Sequence, residues 1–239
     1  MKYIVVLSMA AFFLTSWKPI PTQHPNPPKG FVTVEGTQFQ IDGQSYRFVG
    51  TNFWYVMHLG VRKHRDRLIQ ELDQLQALGC NNLRIMVGSE GPATEQYRVQ
   101  PPLLLQPSQY DEDILAGLDF LLVEMKKRQM FGVLTLGNFW HWSGGFAQYL
   151  SWATNTPIPY PDLDGGMSWE TYMAYTFRFY GHAEANALIQ AHVKKIVGRT
   201  NTLTGQAYTA DPTIMAWQLA NEPKCGDDRK NIHAYRKWI

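Results

Sequence analysis

Ala216-Trp217-Gln218-Leu219-Ala220-Asn221-Glu222-Pro223 is an apolar run that ends abruptly in a carboxylate. Opened by Asp211-Pro212, it predicts a strand over residues 213–220 that is buried along its length. Moving outward, the pattern repeats, with strands predicted at residues 46–51, 82–87 and 131–136. Helical segments separate them. Residues 65–78 carry Leu68, Leu72, Leu75 and Leu78 at helical spacing and stop at Gly79. Residues 111–129 bury a stripe of Ile114, Leu118, Leu121, Leu122 and Met125, and residues 168–197 form a helical region broken near Gly181. Ahead of these, residues 31–49 read as a β-hairpin, with strands at 31–34 and 38–41 and an Asp42-Gly43 turn before Tyr46-Arg47-Phe48-Val49.

Apolar strands alternating with helices imply a parallel sheet covered on both faces. An open doubly wound sheet and a (β/α)8 barrel (TIM barrel) both satisfy this. No glycine-rich phosphate loop follows the first strand, which weakens a nucleotide-binding reading. Polar and aromatic residues instead gather just after each strand: Asn52-Phe53-Trp54, Ser89-Glu90, Asn138-Phe139-Trp140 and Asn221-Glu222. A barrel builds its site at that edge. Four βα units make half of a barrel that needs about 250 residues, and long loops at 88–110 and 142–167 take up much of this chain. The expected architecture is therefore an α/β (β/α)8 barrel truncated after about the fourth βα unit, with an N-terminal β-hairpin and an apolar sheet edge left open.

The 239 residues are 45% hydrophobic and 18% charged, enough for one domain with a substantial core. Net charge is +2, and the basic groups Lys126-Lys127-Arg128 and Arg62-Lys63-His64-Arg65 fall on solvated helix faces, so no nucleic-acid partner is expected. Core packing accounts for most of the 8 Trp, 12 Tyr and 12 Phe. At the N-terminus a positive Met1-Lys2-Tyr3 precedes an apolar run over residues 4–14, too short for a bilayer span. We expect a signal peptide at residues 1–17, a Pro-rich linker at 18–29 and the half-barrel at 30–239, in a secreted or periplasmic protein with no membrane contact after cleavage. Cys80 and Cys225 flank different strands at opposite sheet ends, roughly 17–20 Å apart by strand length. Both are expected to be free thiols, and no metal motif surrounds them.

Glu222, at a buried strand end, suits a general acid whose partial burial keeps it protonated; an ion-pair role is equally consistent with its spacing. Asn221 beside it can donate to a substrate hydroxyl or to backbone. Arg84, inside Leu83-Arg84-Ile85-Met86-Val87, must meet a carboxylate or be costly to desolvate. Trp140 and Trp142 lie in a loop where aromatics are less needed for packing, and Trp54 ends the first strand. His141 reads as polar surface or a base, and Glu90, on a Gly-flanked loop, reads as surface.

Three segments carry a family resemblance: residues 83–92 (Leu83-Arg84-Ile85-Met86-Val87-Gly88-Ser89-Glu90-Gly91-Pro92), residues 138–149 with Trp142-Ser143-Gly144-Gly145 and Ala147-Gln148-Tyr149, and residues 217–223. Together they resemble the endo-β-1,4-mannanases of glycoside hydrolase family 5, from about Gly30 to the last residue. The resemblance implies hydrolysis of internal β-1,4 bonds in mannan, glucomannan and galactomannan with retention of configuration, without metal or cofactor. It implies Glu222 as acid/base, Asn221 on the sugar 2-hydroxyl, Arg84 supporting the catalytic carboxylates, and Trp54, Asn138 and Trp140 lining the cleft. The family's nucleophile, a Glu from the seventh strand, has no counterpart here, so this chain alone is expected to be inactive. The partner expected is a β-mannan polysaccharide or manno-oligosaccharide. Another retaining β-glycanase of the same fold, such as a cellulase or xylanase, and an inactive glycan-binding remnant are the alternatives.

Overall fold

The computed structural model describes residues 30–93, 98–161 and 166–239. The expected signal peptide and linker lie outside them. A three-stranded antiparallel sheet comes first, from β1 (Thr33–Glu35), β2 (Gln38–Ile41) and β3 (Gln44–Ser45). Asp42 and Gly43 both take positive φ in the turn between β2 and β3, as the Asp-Gly pair predicts. Regular pairing stops at Ser45, earlier than expected. Tyr46 still donates its N–H to Phe39 O at 2.8 Å, but its ring packs on Phe131, 5.1 Å between centroids.

The chain continues through β4 (Gly50–Asn52), α1 (Val56–Leu59), α2 (Arg65–Ala77), β5 (Asn82–Met86), a small hairpin of β6 (Leu104–Gln106) and β7 (Gln109–Tyr110), α3 (Glu112–Lys127) and β8 (Phe131–Thr135). Then follow α4 (Gly145–Thr154), α5 (Trp169–Phe177), α6 (Ala183–Val197), β9 (Ile214–Gln218) and α7 (Arg229–Trp238). Strands β4, β5, β8 and β9 form one parallel sheet in that spatial order, each beside its sequence neighbour. Among the described residues this sheet does not close. The central strands β5 and β8 are buried except at their midpoints, whereas β9 is half-buried along most of its length and Leu219 beyond it is exposed.

Helix ends follow local chemistry. The Asp111 carboxylate accepts from Asp113 N and Ile114 N at 3.0 and 3.1 Å to start α3, and Lys126 and Lys127 close its last turn against the helix dipole. The predicted stripe on α3 is fully buried. On α2, Leu68 and Leu72 are buried, while Leu78 lies past the helix end and is exposed. The region 168–197 breaks as expected, through a 3-10 turn over Arg178–Gly181.

Two cores result. Leu83, Ile85 and Leu134 of the sheet meet Leu118, Leu121, Leu122 and Met125 of α3, each fully buried and each contributing about 1.5–3 kcal/mol. The second core, under α4, α5 and α6, is aromatic, with Phe146 stacked on Phe179 at 4.2 Å. Asp119 of α3 ties down the segment entering β9. Its carboxylate accepts from Arg199 at 2.9 and 2.7 Å, from Tyr208 OH at 2.6 Å and from Thr202 Oγ1 at 2.7 Å. Burial works to raise this carboxyl, and those donors hold it below its ordinary value. Cys80 and Cys225 are both free thiols, as expected. No helix among the described residues is long and apolar enough to cross a membrane.

Candidate active site

The sheet register brings the polar strand ends together. Asn52 pairs with Arg84 across β4 and β5, and Thr135 pairs with Gln218 across β8 and β9. One bridge further on, Asn138 pairs with Asn221, with Asn221 N donating to Gly137 O at 2.8 Å and Phe139 N to Asn221 O at 3.1 Å. Asn52, Thr135, Gln218, Asn138 and Asn221 therefore sit at the carboxyl end of the parallel sheet, and Arg84 reaches toward it from the midpoint of β5.

Arg84 points along this end as a tripod. Its Nε donates to Gln218 Oε1 at 2.8 Å, and its terminal nitrogens donate to Asn52 Oδ1 at 3.2 Å and Asn221 Oδ1 at 2.9 Å. The expected carboxylate contact is replaced by three amide oxygens, whose lone pairs compensate the desolvated guanidinium. Burial lowers the Arg84 pKa, and the charge of Glu222 opposes that shift. Asn221, buried, donates from Nδ2 to Asn138 Oδ1 at 3.0 Å, and Asn138 donates to Ser143 Oγ at 2.9 Å.

Glu222 follows with φ 45°, a left-handed conformation that a non-glycine residue adopts at a cost of about 1–3 kcal/mol. Trp140 Nε1 donates to its Oε2 at 2.7 Å. The side chain is exposed, so the partial burial expected for it is absent. It nonetheless lines the same cleft as the guanidinium.

That cleft, of about 410 Å³, is bounded by Trp54, Arg84, Trp140, Asn221 and Glu222. Asn52, Met86, His141, Trp142 and Trp169 complete it. The predicted Trp54, Arg84, Asn221 and Glu222 thus converge, with Asn138 just beneath as the link between Asn221 and the Trp140 backbone, whose N–H it accepts at 3.2 Å. Trp54 packs against Trp142 at 5.2 Å and Trp140 against Trp169 at 5.9 Å, giving two aromatic walls. A larger cavity of about 810 Å³, lined by Trp152 and Tyr160 among others, touches none of the six predicted residues. Carboxylate, guanidinium and amides meet in the smaller cleft.

Two expectations are corrected. His141 is not loop surface: it is buried between Trp169 and Tyr172, with ring centroids 5.5 and 5.3 Å away. Glu90 is not surface either. It is fully buried, accepting from Gly145 N at 2.9 Å and Tyr149 OH at 3.1 Å. Burial pushes its carboxyl up to about 7, against the pull of those donors and of Arg98. Trp169 and Gln218 are further members that the sequence reading did not single out, and Asn52 was placed at the strand-end edge without a role. Asn52 and Gln218 carried the signal of a polar side chain at a strand end.

Residues 29–239 match the family model described as GH family 5 beta-mannosidase-like. Mannan endo-1,4-beta-mannosidase 1 of Solanum lycopersicum is 32% identical over 82% of this chain and 44% of its own length. The crystal structure of the glycoside hydrolase family 5 mannosidase from Rhizomucor miehei superposes with TM-score 0.77 and 40% identity, covering 82% of this chain and 49% of that one. A variant of that mannosidase in complex with mannosyl-fructose gives 41% identity and TM-score 0.77, over 81% and 49%. The chain spans less than half the length of these relatives.

Proposed function

This chain belongs to the GH family 5 beta-mannosidase-like family, and on that premise we propose that the whole protein hydrolyses internal β-1,4 bonds of mannan, glucomannan or galactomannan. The observation that carries the proposal is the convergence of Glu222, Asn221, Arg84 and the indole of Trp140 on one aromatic-walled cleft. Glu222 protonates the departing glycosidic oxygen and then, as its conjugate base, activates water. Asn221 meets the sugar 2-hydroxyl. Arg84 holds Asn221 and places positive charge beside the carboxylate, while Trp54 and Trp140 offer faces to the sugar rings. A retaining double displacement requires a second carboxylate about 5–5.5 Å from the first. No described cleft residue besides Glu222 is acidic. The nucleophile is thus not among the described residues of the cleft, and we expect the 239-residue chain to be inactive by itself.

In this reading, residues 1–17 form a cleaved leader and 18–29 a linker. Residues 30–239 form the N-terminal half of a (β/α)8 catalytic domain that acts outside the cytoplasm on a β-mannan or manno-oligosaccharide. The parallel sheet order and the site at its carboxyl end support the barrel.

A second reading, attack on terminal mannose units, draws support from the 40% identity to a structure named a mannosidase, against 32% to the plant endo-mannosidase. Product analysis on mannan separates the two: oligosaccharides from the first minutes indicate internal cleavage, and mannose alone indicates terminal attack. Turnover of the whole protein on cellulose in place of mannan would overturn both readings.

A further inference from the structure

Glu90 has no part in the mechanism above, yet it is the most completely buried carboxylate near the cleft. Its surroundings show why it is there. Helix α4 begins at Gly145 behind Gly144, which has no side chain with which to cap the first turn. The Glu90 carboxylate, 55 residues earlier, caps it instead, accepting from Gly145 N at 2.9 Å through Oε2 and from Tyr149 OH at 3.1 Å through Oε1. The Glu90 backbone N–H donates to Ser143 O at 2.6 Å. Both glycines take positive φ, and a Cβ on Gly144 would lie 2.0 Å from Glu90 O. The two loops are thus locked face to face.

Ser143 leads directly to the site. Its Oγ accepts from Asn138 Nδ2, Asn138 Oδ1 accepts from Trp140 N and Asn221 Nδ2, and Trp140 Nε1 donates to Glu222. We infer that Glu90 is a positioning residue: by holding the turn at Ser143–Gly145 against the end of β5, it sets where Trp140 and Asn138 meet Glu222 and Asn221. The effect on catalysis rests on Glu222 as proton donor, whereas the positioning does not.

The charged and titratable groups facing Glu90 are Arg98, which donates to its carbonyl, Tyr149 and Tyr110, with His141 on the held loop itself. Both tyrosines are pushed up by burial and stay protonated near neutrality. A glutamine in place of Glu90 keeps an acceptor for Gly145 N and adds a donor for Tyr149, so it mimics the protonated acid.

The test uses the full chain labelled with 15N-tryptophan, the Trp140 indole N–H resonance being assigned by its disappearance in Trp140→Phe. At pH 5.5, Glu90→Gln keeps this resonance at its wild-type position, and Glu90→Ala moves or broadens it. Raising the pH through 7 moves it in the wild type but not in Glu90→Gln. Should Glu90→Ala fail to fold, Tyr149→Phe, which removes one bond to the carboxylate, moves the same resonance by a smaller amount. A resonance unmoved in folded Glu90→Ala, or in Tyr149→Phe where that variant stands in, overturns the inference. Calorimetric titration with mannohexaose runs beside it, with about tenfold weaker binding expected for Glu90→Ala, the worth of one well-placed hydrogen bond. A wild-type chain that binds no manno-oligosaccharide counts against the glycosidase reading and leaves positioning to be decided by the indole resonance.

Discussion

Trp140 and Glu222 are joined by a hydrogen bond of 2.7 Å from indole Nε1 to Oε2, across 82 residues of sequence. The bond aims a carboxylate that is otherwise exposed and held on a left-handed backbone. Replacing the indole N–H while keeping an aromatic face isolates that aim from sugar stacking. In the whole protein, Trp140→Phe should lower kcat/KM on mannan by about tenfold, mainly through kcat. Glu222→Gln, which removes the proton itself, should lower it by about 10²–10⁴-fold. Steady-state kinetics measures both, and a Glu222→Gln enzyme with wild-type turnover would remove the residue from the mechanism.

Arg84 serves three acceptors on two strand ends, Asn52 at the end of β4 and Gln218 and Asn221 at the end of β9. Lysine offers a single point of charge in place of a planar fork. Arg84→Lys should leave at least one amide oxygen unpaired and lower stability by about 1–3 kcal/mol. It should also weaken sugar binding, because Asn221 loses its anchor. Denaturant midpoints and calorimetry check the pair of effects, and a variant as stable as the wild type would mean the tripod is solvated rather than structural.

How much of this was legible beforehand varies with the range of the interaction that decides it. The stripe on α3 and the strand at residues 214–218 follow from periodicity and near-neighbour burial, which a single sequence carries. The convergence of Arg84, Asn221 and Glu222 was accessible because each ends or sits inside an apolar run, and parallel strands present such ends at one edge. Glu90 was misread because its burial depends on α4, and α4 itself was missed. Gly144-Gly145 looked like loop, and the helix lacks a local capping side chain because its cap is 55 residues away. The spacing of Phe146, Tyr149, Leu150 and Ala153 was the available signal for that helix. Trp169 opens α5 behind the capping Ser168 and is exposed, and nothing in its neighbours distinguishes it from surface until Trp140 and His141 are seen beside it.

Asp119 is fully buried and paired with Arg199, Tyr208 and Thr202. Removing the carboxylate strands a guanidinium that is itself nearly buried. Asp119→Ala should destabilise the fold by about 3–5 kcal/mol, the range for breaking one side of a buried pair. Because the network fixes the approach to β9, hydrogen exchange in residues 199–214 should accelerate along with the drop in midpoint. A loss below about 1 kcal/mol would place the pair among the near-neutral surface contacts.

Two buried groups set opposing pH slopes. Glu90 titrates at about 7 in the fold against an ordinary 4.5, because burial disfavours its charge. Between those values the folded chain holds a proton that the unfolded chain has lost, so stability falls as pH rises. His192, whose Nε2 lies 2.9 Å from Val87 O, is driven down by burial to about 4 from 6.5, against the bonds to Val87 and Leu136. There the unfolded chain holds the extra proton, and stability rises with pH from about 4 to 6.5. His58, lowered chiefly by burial, adds to the second slope. The opposing slopes should therefore partly cancel between pH 4.5 and 6.5, leaving the wild-type denaturant midpoint to rise only weakly. Glu90→Gln should expose a rising profile, to which His192 contributes at most about 1.4 kcal/mol per pH unit and His58 adds, and His192→Gln a falling one that His58 moderates. Parallel profiles for the two variants would show that neither group carries the linkage assigned to it.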